Sequence, residues 1–214
     1  MSKASHAGIR AAEEIRHLGY DGSLRFLSEE AELPYERPPL STEFLLGQID
    51  SAALSMPQSD IAELMLDIGA IELDTRNHLL TLSDGSSLTF DGLVIATGAR
   101  PRTMPDEERA HDAFTLYTLG EAQALRLELQ REPRVVIIGA GLTGLEVASS
   151  CRTIGLGTTP VELLSTPLGR VLDEELGQRV AGLARAHGVN LITGRTAVRS
   201  CAPGPFERRT VPAR

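Results

Sequence analysis

Val135-Val136-Ile137-Ile138-Gly139-Ala140-Gly141-Leu142-Thr143-Gly144-Leu145-Glu146 decides how this chain is read. Four consecutive β-branched residues predict a buried strand. The three glycines that follow have the G-x-G-x-x-G spacing, and the apolar periodicity after them predicts a helix over about 143–154. Each glycine has a physical reason to be there. Gly139 permits a tight turn, Gly141 lets backbone approach a diphosphate, and Gly144 lets helix and strand pack closely. Leu142 and Thr143 fall at the helix start, where free N–H groups and a partial positive charge face an anion. The motif also calls for an acid at the end of the next strand, and Glu162 stands 18 residues after Gly144. A carboxylate there accepts hydrogen bonds from a ribose 2′-hydroxyl and repels a 2′-phosphate, which favours NAD over NADP. Arg170 lies nearby in sequence. Pro160 is unusual inside the strand leading to Glu162, because it removes a ladder donor.

Working outward, the opening of the chain copies this plan in part. Gly8 begins a predicted helix over 7–19, with Ile9, Ala12, Ile15 and Leu18 on one face and Gly19 as a C-terminal cap. A strand is expected at 24–27, and Glu29 follows Gly8 by 21 residues. Lys3 and Ser5 stand where the first two glycines would be, and no apolar strand precedes them. Taken alone, these residues fit either a second nucleotide site or an ordinary helix capped by Ser5.

Leu33 to Ser41 contains three prolines and predicts an extended loop entering a short helix. Residues 61–96 read as a β-meander. Its hairpin joins 79–82 to 88–90 around Ser83-Asp84-Gly85-Ser86, and a buried strand is expected at 93–96. A connector over 99–113 leads to an amphipathic helix at 119–131 through Leu119, Ala122, Leu125 and Leu129. Further on, a strand is expected near 158–164. A helix near 173–187 should turn Leu176, Val180 and Leu183 inward, and a strand should begin at 189–192. Residues 201–214 show no periodicity and are expected to be an unstructured tail.

Composition narrows the function. A formal net charge of −8 is a poor match for nucleic acid. No stretch reaches the roughly 20 apolar residues needed to span a bilayer, and no secretory pattern opens the chain, so the cytoplasm is the expected compartment. The five histidines (His6, His17, His78, His111 and His187) have no metal-ligand spacing. Cys151 and Cys201 form no C-x-x-C pair, and Cys151 sits in an apolar run as a core residue. The acidic runs Glu13-Glu14 and Asp173-Glu174-Glu175 read as solvated helix starts, Arg100 and Arg102 as solvated loop charges. No nucleophilic or acid–base constellation stands out, so no catalytic side chain is assigned.

Several words in the chain resemble one family. They are Ser5-His6-Ala7-Gly8, Leu33-Pro34-Tyr35-Glu36-Arg37-Pro38-Pro39-Leu40-Ser41, Leu82-Ser83-Asp84-Gly85, Ala96-Thr97-Gly98-Ala99-Arg100-Pro101, the 135–146 motif, and Pro167-Leu168-Gly169-Arg170-Val171-Leu172. From residue 4 to about 198 the sequence is similar to the FAD-containing, NAD-linked ferredoxin and rubredoxin reductases of bacterial oxygenase systems. The resemblance implies an α/β fold: two Rossmann-like FAD/NAD(P)-binding domains with parallel sheets and a β-meander, both incomplete because the chain is shortened at both ends. A partial FAD domain is expected at 1–112, a partial NAD domain at 113–200 and the tail at 201–214. It also implies cofactor contacts. FAD would lie on Ser5, His6, Ala7 and Gly8, with Glu29 at its ribose, Arg37 and Pro38 beside the flavin, Ala70 at the adenine, and Thr97-Gly98 closing the domain. NAD would lie on Gly139, Gly141, Leu142, Thr143 and Gly144, with further contacts from Glu146, Glu162 and Arg170. The implied activity is hydride transfer from NADH to FAD, followed by single electrons to a ferredoxin or rubredoxin-like acceptor. Two departures stand out. Thr42 replaces the family's lysine after the P-P-L-S word, and Tyr117 replaces an arginine in a Leu-Arg-Thr word. A non-catalytic NAD(H)-binding remnant, or a partial gene product completed by a second chain, fits the same residues.

Overall fold

The computed structural model describes residues 6–56, 61–102 and 113–196. The described residues form two compact units. One comprises the described residues within 1–37 and 51–100, the other those within 38–50 and 101–196. The architecture is α/β with parallel strand pairs, as the order of apolar patterns predicts.

In the first unit, α1 (His6–His17) buries Ile9 and Ala12, whereas Leu18 beyond its end is exposed. Gly19 ends the helix in the left-handed region at φ 88°. Its N–H donates to Arg16 O and that of Tyr20 to Ile15 O, which satisfies the last carbonyls. β1 (Arg25–Leu27) pairs in parallel with β2 (Glu63–Met65), and Ile9, Phe26 and Met56 form a small core. β2 is therefore not part of the meander as expected. The meander consists of β3 (Ala70–Asp74), β4 (Leu79–Leu82) and β5 (Ser87–Thr89), with antiparallel pairing. Gly85, at φ 85°, makes the expected turn between β4 and β5.

The expected buried strand at 93–96 is absent. The backbone there is irregular, and Val94 and Ile95 are exposed by 58% and 67%. β-branched residues form a strand only where a neighbour accepts and donates the ladder bonds. No described strand pairs with this segment.

In the second unit, a four-residue 3-10 turn at Pro38–Ser41 realises the short helix expected after the prolines. α2 (Leu119–Leu129) starts with a capping box. Thr118 accepts from the Glu121 N–H while the Glu121 carboxylate accepts from the N–H groups of Thr118 and Tyr117 at 2.9 and 2.8 Å. Glu121 also accepts the Thr115 hydroxyl. β6 (Val135–Ile138) pairs in parallel with β7 (Thr158–Val161), joined by α3 (Leu142–Thr153). Val147 and Cys151 of α3 pack with Leu45 and Leu129 over Val135 and Ile137. Burial raises the Cys151 thiol to about 11, consistent with a core residue.

α4 (Glu174–Ala186) is capped by Asp173, whose carboxylate accepts from the Leu176 N–H at 2.9 Å. Its inward face differs from the one expected. Gly177 and Ala181 are buried, while Leu176 and Leu183 point outward, Leu183 being 64% exposed. Close approach is the reason: a Cβ on Gly177 would lie 2.6 Å from Thr166 Oγ1, so only small residues fit against this turn. The strand expected at 189–192 shrinks to a single bridge between Val161 and Ile192. Ile192 N–H donates to Pro160 O, Glu162 N–H to Ile192 O, and Asn190 N–H to Thr158 O. The next rung would need an N–H at position 160, and proline has none.

Candidate functional site

The glycine loop between β6 and α3 places its three glycines in three different environments. Gly139 has φ 97°, a conformation that side chains rarely tolerate, and its N–H donates to Val161 O at 2.8 Å. Gly141 is the residue before the first turn of α3, with no side-chain cap on that helix. A Cβ built on Gly141 would meet nothing within 4 Å. A Cβ on Gly144 would lie 2.2 Å from the Gly139 carbonyl oxygen, so the helix touches the loop there. The first glycine is fixed by torsion, the third by contact. The second leaves open space in front of exposed backbone, the arrangement a diphosphate needs. Leu142 and Thr143 are exposed at the same helix start.

Glu162 lies just past β7 and reaches back to the loop. Its Oε2 accepts from Ala140 N–H at 2.7 Å and its Oε1 from Leu164 N–H at 3.0 Å. The Ala140 carbonyl accepts from Leu168 N–H at 3.0 Å. Arg170, two residues on, is exposed. Gly139, Gly141, Leu142, Thr143, Gly144 and Glu162 thus converge on one loop. Glu146, one turn into α3, is engaged elsewhere. Its Oε2 accepts the Ser41 hydroxyl at 2.6 Å, and the Ser150 hydroxyl donates to Ser41 O at 2.7 Å. Both serines are buried.

In the first unit, His6, Ala7 and Gly8 open α1. A Cβ on Gly8 would lie 2.6 Å from a ring carbon of Phe26 on β1, so helix and strand touch here, as helix and loop do at Gly144. Glu29 follows β1. Its carboxylate is 3.3 Å from Arg100, and its Oε1 is 3.9 Å from where a Gly69 Cβ would be, next to Ala70 at the start of β3. Arg100, expected as a solvated loop charge, is therefore an ion-pair partner of a candidate ribose-binding acid. Arg37 pairs with Glu30 at 2.6 Å and lies over the Tyr35 ring, and the Tyr35 hydroxyl donates to the same carboxylate. Pro38 belongs to the second unit. Thr97 and Gly98 lie in irregular backbone, with Gly98 at φ 68°. Ser5 is outside the described residues. Sequence reasoning missed Glu30 and Ser41, which hold the candidates Arg37 and Glu146, and Leu168, which holds Ala140 between two candidate glycines, all by contacts that no local spacing announces.

The sequence model for the pyridine nucleotide-disulphide oxidoreductases matches residues 4–204. The chain belongs to this family. Among its curated relatives is the ferredoxin–NAD(+) reductase component of the p-cumate 2,3-dioxygenase system of Pseudomonas putida. The two are 34% identical over 196 residues, covering 89% of this chain and 49% of that protein. Terpredoxin reductase of a Pseudomonas species is 35% identical over 208 residues, covering 94% and 50%. A crystal structure of a ferredoxin reductase from Rhodopseudomonas palustris superposes with a TM-score of 0.88 at 32% identity, covering 95% of this chain and 52% of that one. The chain spans about half the length of the relatives it matches. Glu162 follows the strand after α3 as Glu29 follows the strand after α1.

Proposed function

We propose that the chain carries nucleotide-binding portions of an NADH-dependent, FAD-containing reductase of the ferredoxin and rubredoxin reductase type, with an FAD portion in 1–112 and an NAD portion in 113–200. The observation that carries this reading is the trio of glycine environments at 139, 141 and 144, with the Glu162 carboxylate bound at the loop. An open position in front of exposed amides, between two glycines that cannot be replaced without strain, fits a dinucleotide diphosphate. Glu162 would orient the adenine ribose and exclude a 2′-phosphate. Leu142 and Thr143 would present their amides to the diphosphate, and Arg170 would lie alongside.

The residues of the first unit fit FAD by the same logic. Gly8 sits against Phe26 as a helix-packing glycine, and Glu29 follows the strand where a ribose acceptor belongs. His6, Ala7 and Gly8 would face the diphosphate and Ala70 the adenine. Arg37 would border the flavin side, and Thr97-Gly98 would close it. FAD, when bound, supplies the acceptor for hydride from NADH and the outlet for single electrons to a ferredoxin or rubredoxin-like protein. The part of the chain is to bind and orient the two nucleotides. The named relatives support the choice of acceptor, and an NADH-consuming reductase fits a cytoplasmic location.

Purification of the chain after expression tests the proposal. Yellow protein with flavin absorbance near about 450 nm that releases heat on titration with NADH is the expected result. Colourless, folded protein that still binds NADH would reduce the reading to a nucleotide-binding remnant. Flavin retention only after co-expression with the other half of a relative would make it one part of a two-chain enzyme. Folded protein that binds neither nucleotide would overturn it.

A further inference from the structure

We propose that Glu162 is a positioning residue that clamps the glycine loop in its diphosphate-binding shape before any coenzyme arrives, in addition to whatever it offers a ribose. The inference rests on the NAD reading for its consequence, but its geometry stands alone. One residue, Ala140, is held through both of its backbone groups. The Ala140 N–H donates to Glu162 Oε2 at 2.7 Å, and the Ala140 C=O accepts from Leu168 N–H at 3.0 Å. The other oxygen of Glu162 is fixed by Leu164 N–H at 3.0 Å, so the carboxylate cannot swing away from Ala140 without giving up a second bond. On either side of this residue lie Gly139, at φ 97°, and Gly141, which has open space where a side chain would be.

Both glycines are conformationally free in an unconstrained chain, so ordering the segment between them costs entropy. A carboxylate that bonds to the middle residue meets that cost in the folded protein, so a ligand does not have to. Each carboxylate oxygen carries two lone pairs, so one bond to an amide leaves room for a ribose hydroxyl. Clamp and ribose acceptor are therefore compatible roles of one side chain. They predict different behaviour when it is changed.

Glu162→Gln separates them. An amide presents one oxygen and one NH2, so whichever way it faces, one of the two backbone N–H groups meets a donor instead of an acceptor. If Glu162 only recognised ribose, the variant would bind 2′-deoxy-NADH as well as the unaltered chain does, and NADPH no worse. A clamp predicts weaker binding of NADH and 2′-deoxy-NADH alike. It also predicts that the Ala140 amide of the coenzyme-free protein exchanges its hydrogen at least about tenfold faster in the variant, the size expected for a lost charge-assisted hydrogen bond. Glu162→Asp, one methylene too short to reach both amides, is expected to behave the same way and serves if the glutamine variant fails to fold. Unchanged exchange at Ala140, or undiminished binding of 2′-deoxy-NADH, would overturn the clamp. If the unaltered chain binds no NADH, the coenzyme reading fails, and the exchange measurement still decides whether Glu162 holds the loop.

Discussion

Ser41 and Glu146, separated by 105 positions of sequence, share a hydrogen bond of 2.6 Å, and the Ser41 carbonyl accepts in turn from Ser150 at 2.7 Å. The chain Ser150–Ser41–Glu146 attaches the 3-10 turn at Pro38–Ser41 to α3. Ser41→Ala removes a buried donor and leaves the Glu146 carboxylate short of a partner. Its expected cost is about 1–3 kcal/mol of stability, read as a lower urea midpoint with an unchanged slope. Glu146→Gln, which still accepts from Ser41, should recover most of that loss relative to Glu146→Ala.

Gly141 and Gly144 make opposite predictions for the same change. A Cβ on Gly144 collides with backbone at 2.2 Å, so Gly144→Ala should cost about 2–4 kcal/mol and lower the melting temperature. A Cβ on Gly141 enters open space, so Gly141→Ala should leave stability within about 0.5 kcal/mol. It should nevertheless weaken NADH binding at least about tenfold, because the methyl group occupies the space a diphosphate would use. Equal NADH affinity of Gly141→Ala and the unaltered chain would contradict the assignment.

Gly8 tests the first unit in a similar way. Its neighbour is the Phe26 ring rather than backbone, so the clash can be relieved by shortening the partner. Gly8→Ala is expected to cost about 1–3 kcal/mol, and the same change in a Phe26→Leu background distinctly less. A double-mutant cycle by chemical denaturation reads the coupling. Additive effects would show that helix and strand do not depend on this contact.

Glu121 links the α2 capping box to pH. Burial opposes its charge, but the Thr115 hydroxyl and the amides of Thr118 and Tyr117 outweigh burial and hold its carboxyl below the ordinary 4.5. A lowered folded value means that the unfolded chain binds the proton first. The contribution is therefore complete above pH 4.5 and is lost as pH falls through the folded value. Glu121→Gln should flatten the stability–pH curve below pH 4.5 and leave its shape at neutral pH alone. Thr118→Ala should cost about 1 kcal/mol at neutral pH through loss of the cap.

Cys151 is expected to be silent toward thiol reagents. With its thiol pushed up to about 11 by burial, it carries almost no thiolate at pH 8. In a Cys201→Ser background, native protein should show no fast labelling and denatured protein one thiol. Rapid labelling of the native form would place Cys151 outside the core.

What could be read from sequence was local. The run from Val135 to Glu146 fixes a strand, a turn and a helix because each glycine answers a nearby constraint, and Gly19 and Gly85 end their elements for the same reason. The misreadings concern partners. Leu93–Ala96 has the composition of a buried strand, but a strand needs a neighbour, and a run of four residues says nothing about one. The α4 period suggested that the largest apolar side chains turn inward. Contact with Thr166 instead selected Gly177, and Ala181 packs with Ala140 and Ala148; those distances are tertiary quantities. The Ser41–Glu146 bond and the hold of Glu30 on Arg37 were equally invisible, because hydrogen-bond partners across a fold leave no spacing signal. For Glu162 the sequence placed the acid correctly at the end of its strand but gave no hint that its carboxylate would be bound to the loop amide.

Pro160 limits the sheet of the second unit. With an imino nitrogen at that position, the ladder beyond β7 ends after one bridge, and the segment around Asn190, where Val189 and Leu191 are buried, is hydrogen-bonded backbone rather than a third strand. Pro160→Val would restore the donor and let the ladder run on toward Val189. The cost would be a longer, flatter margin of the kind along which separate molecules adhere. One missing hydrogen atom thus acts as a stop signal for lateral growth.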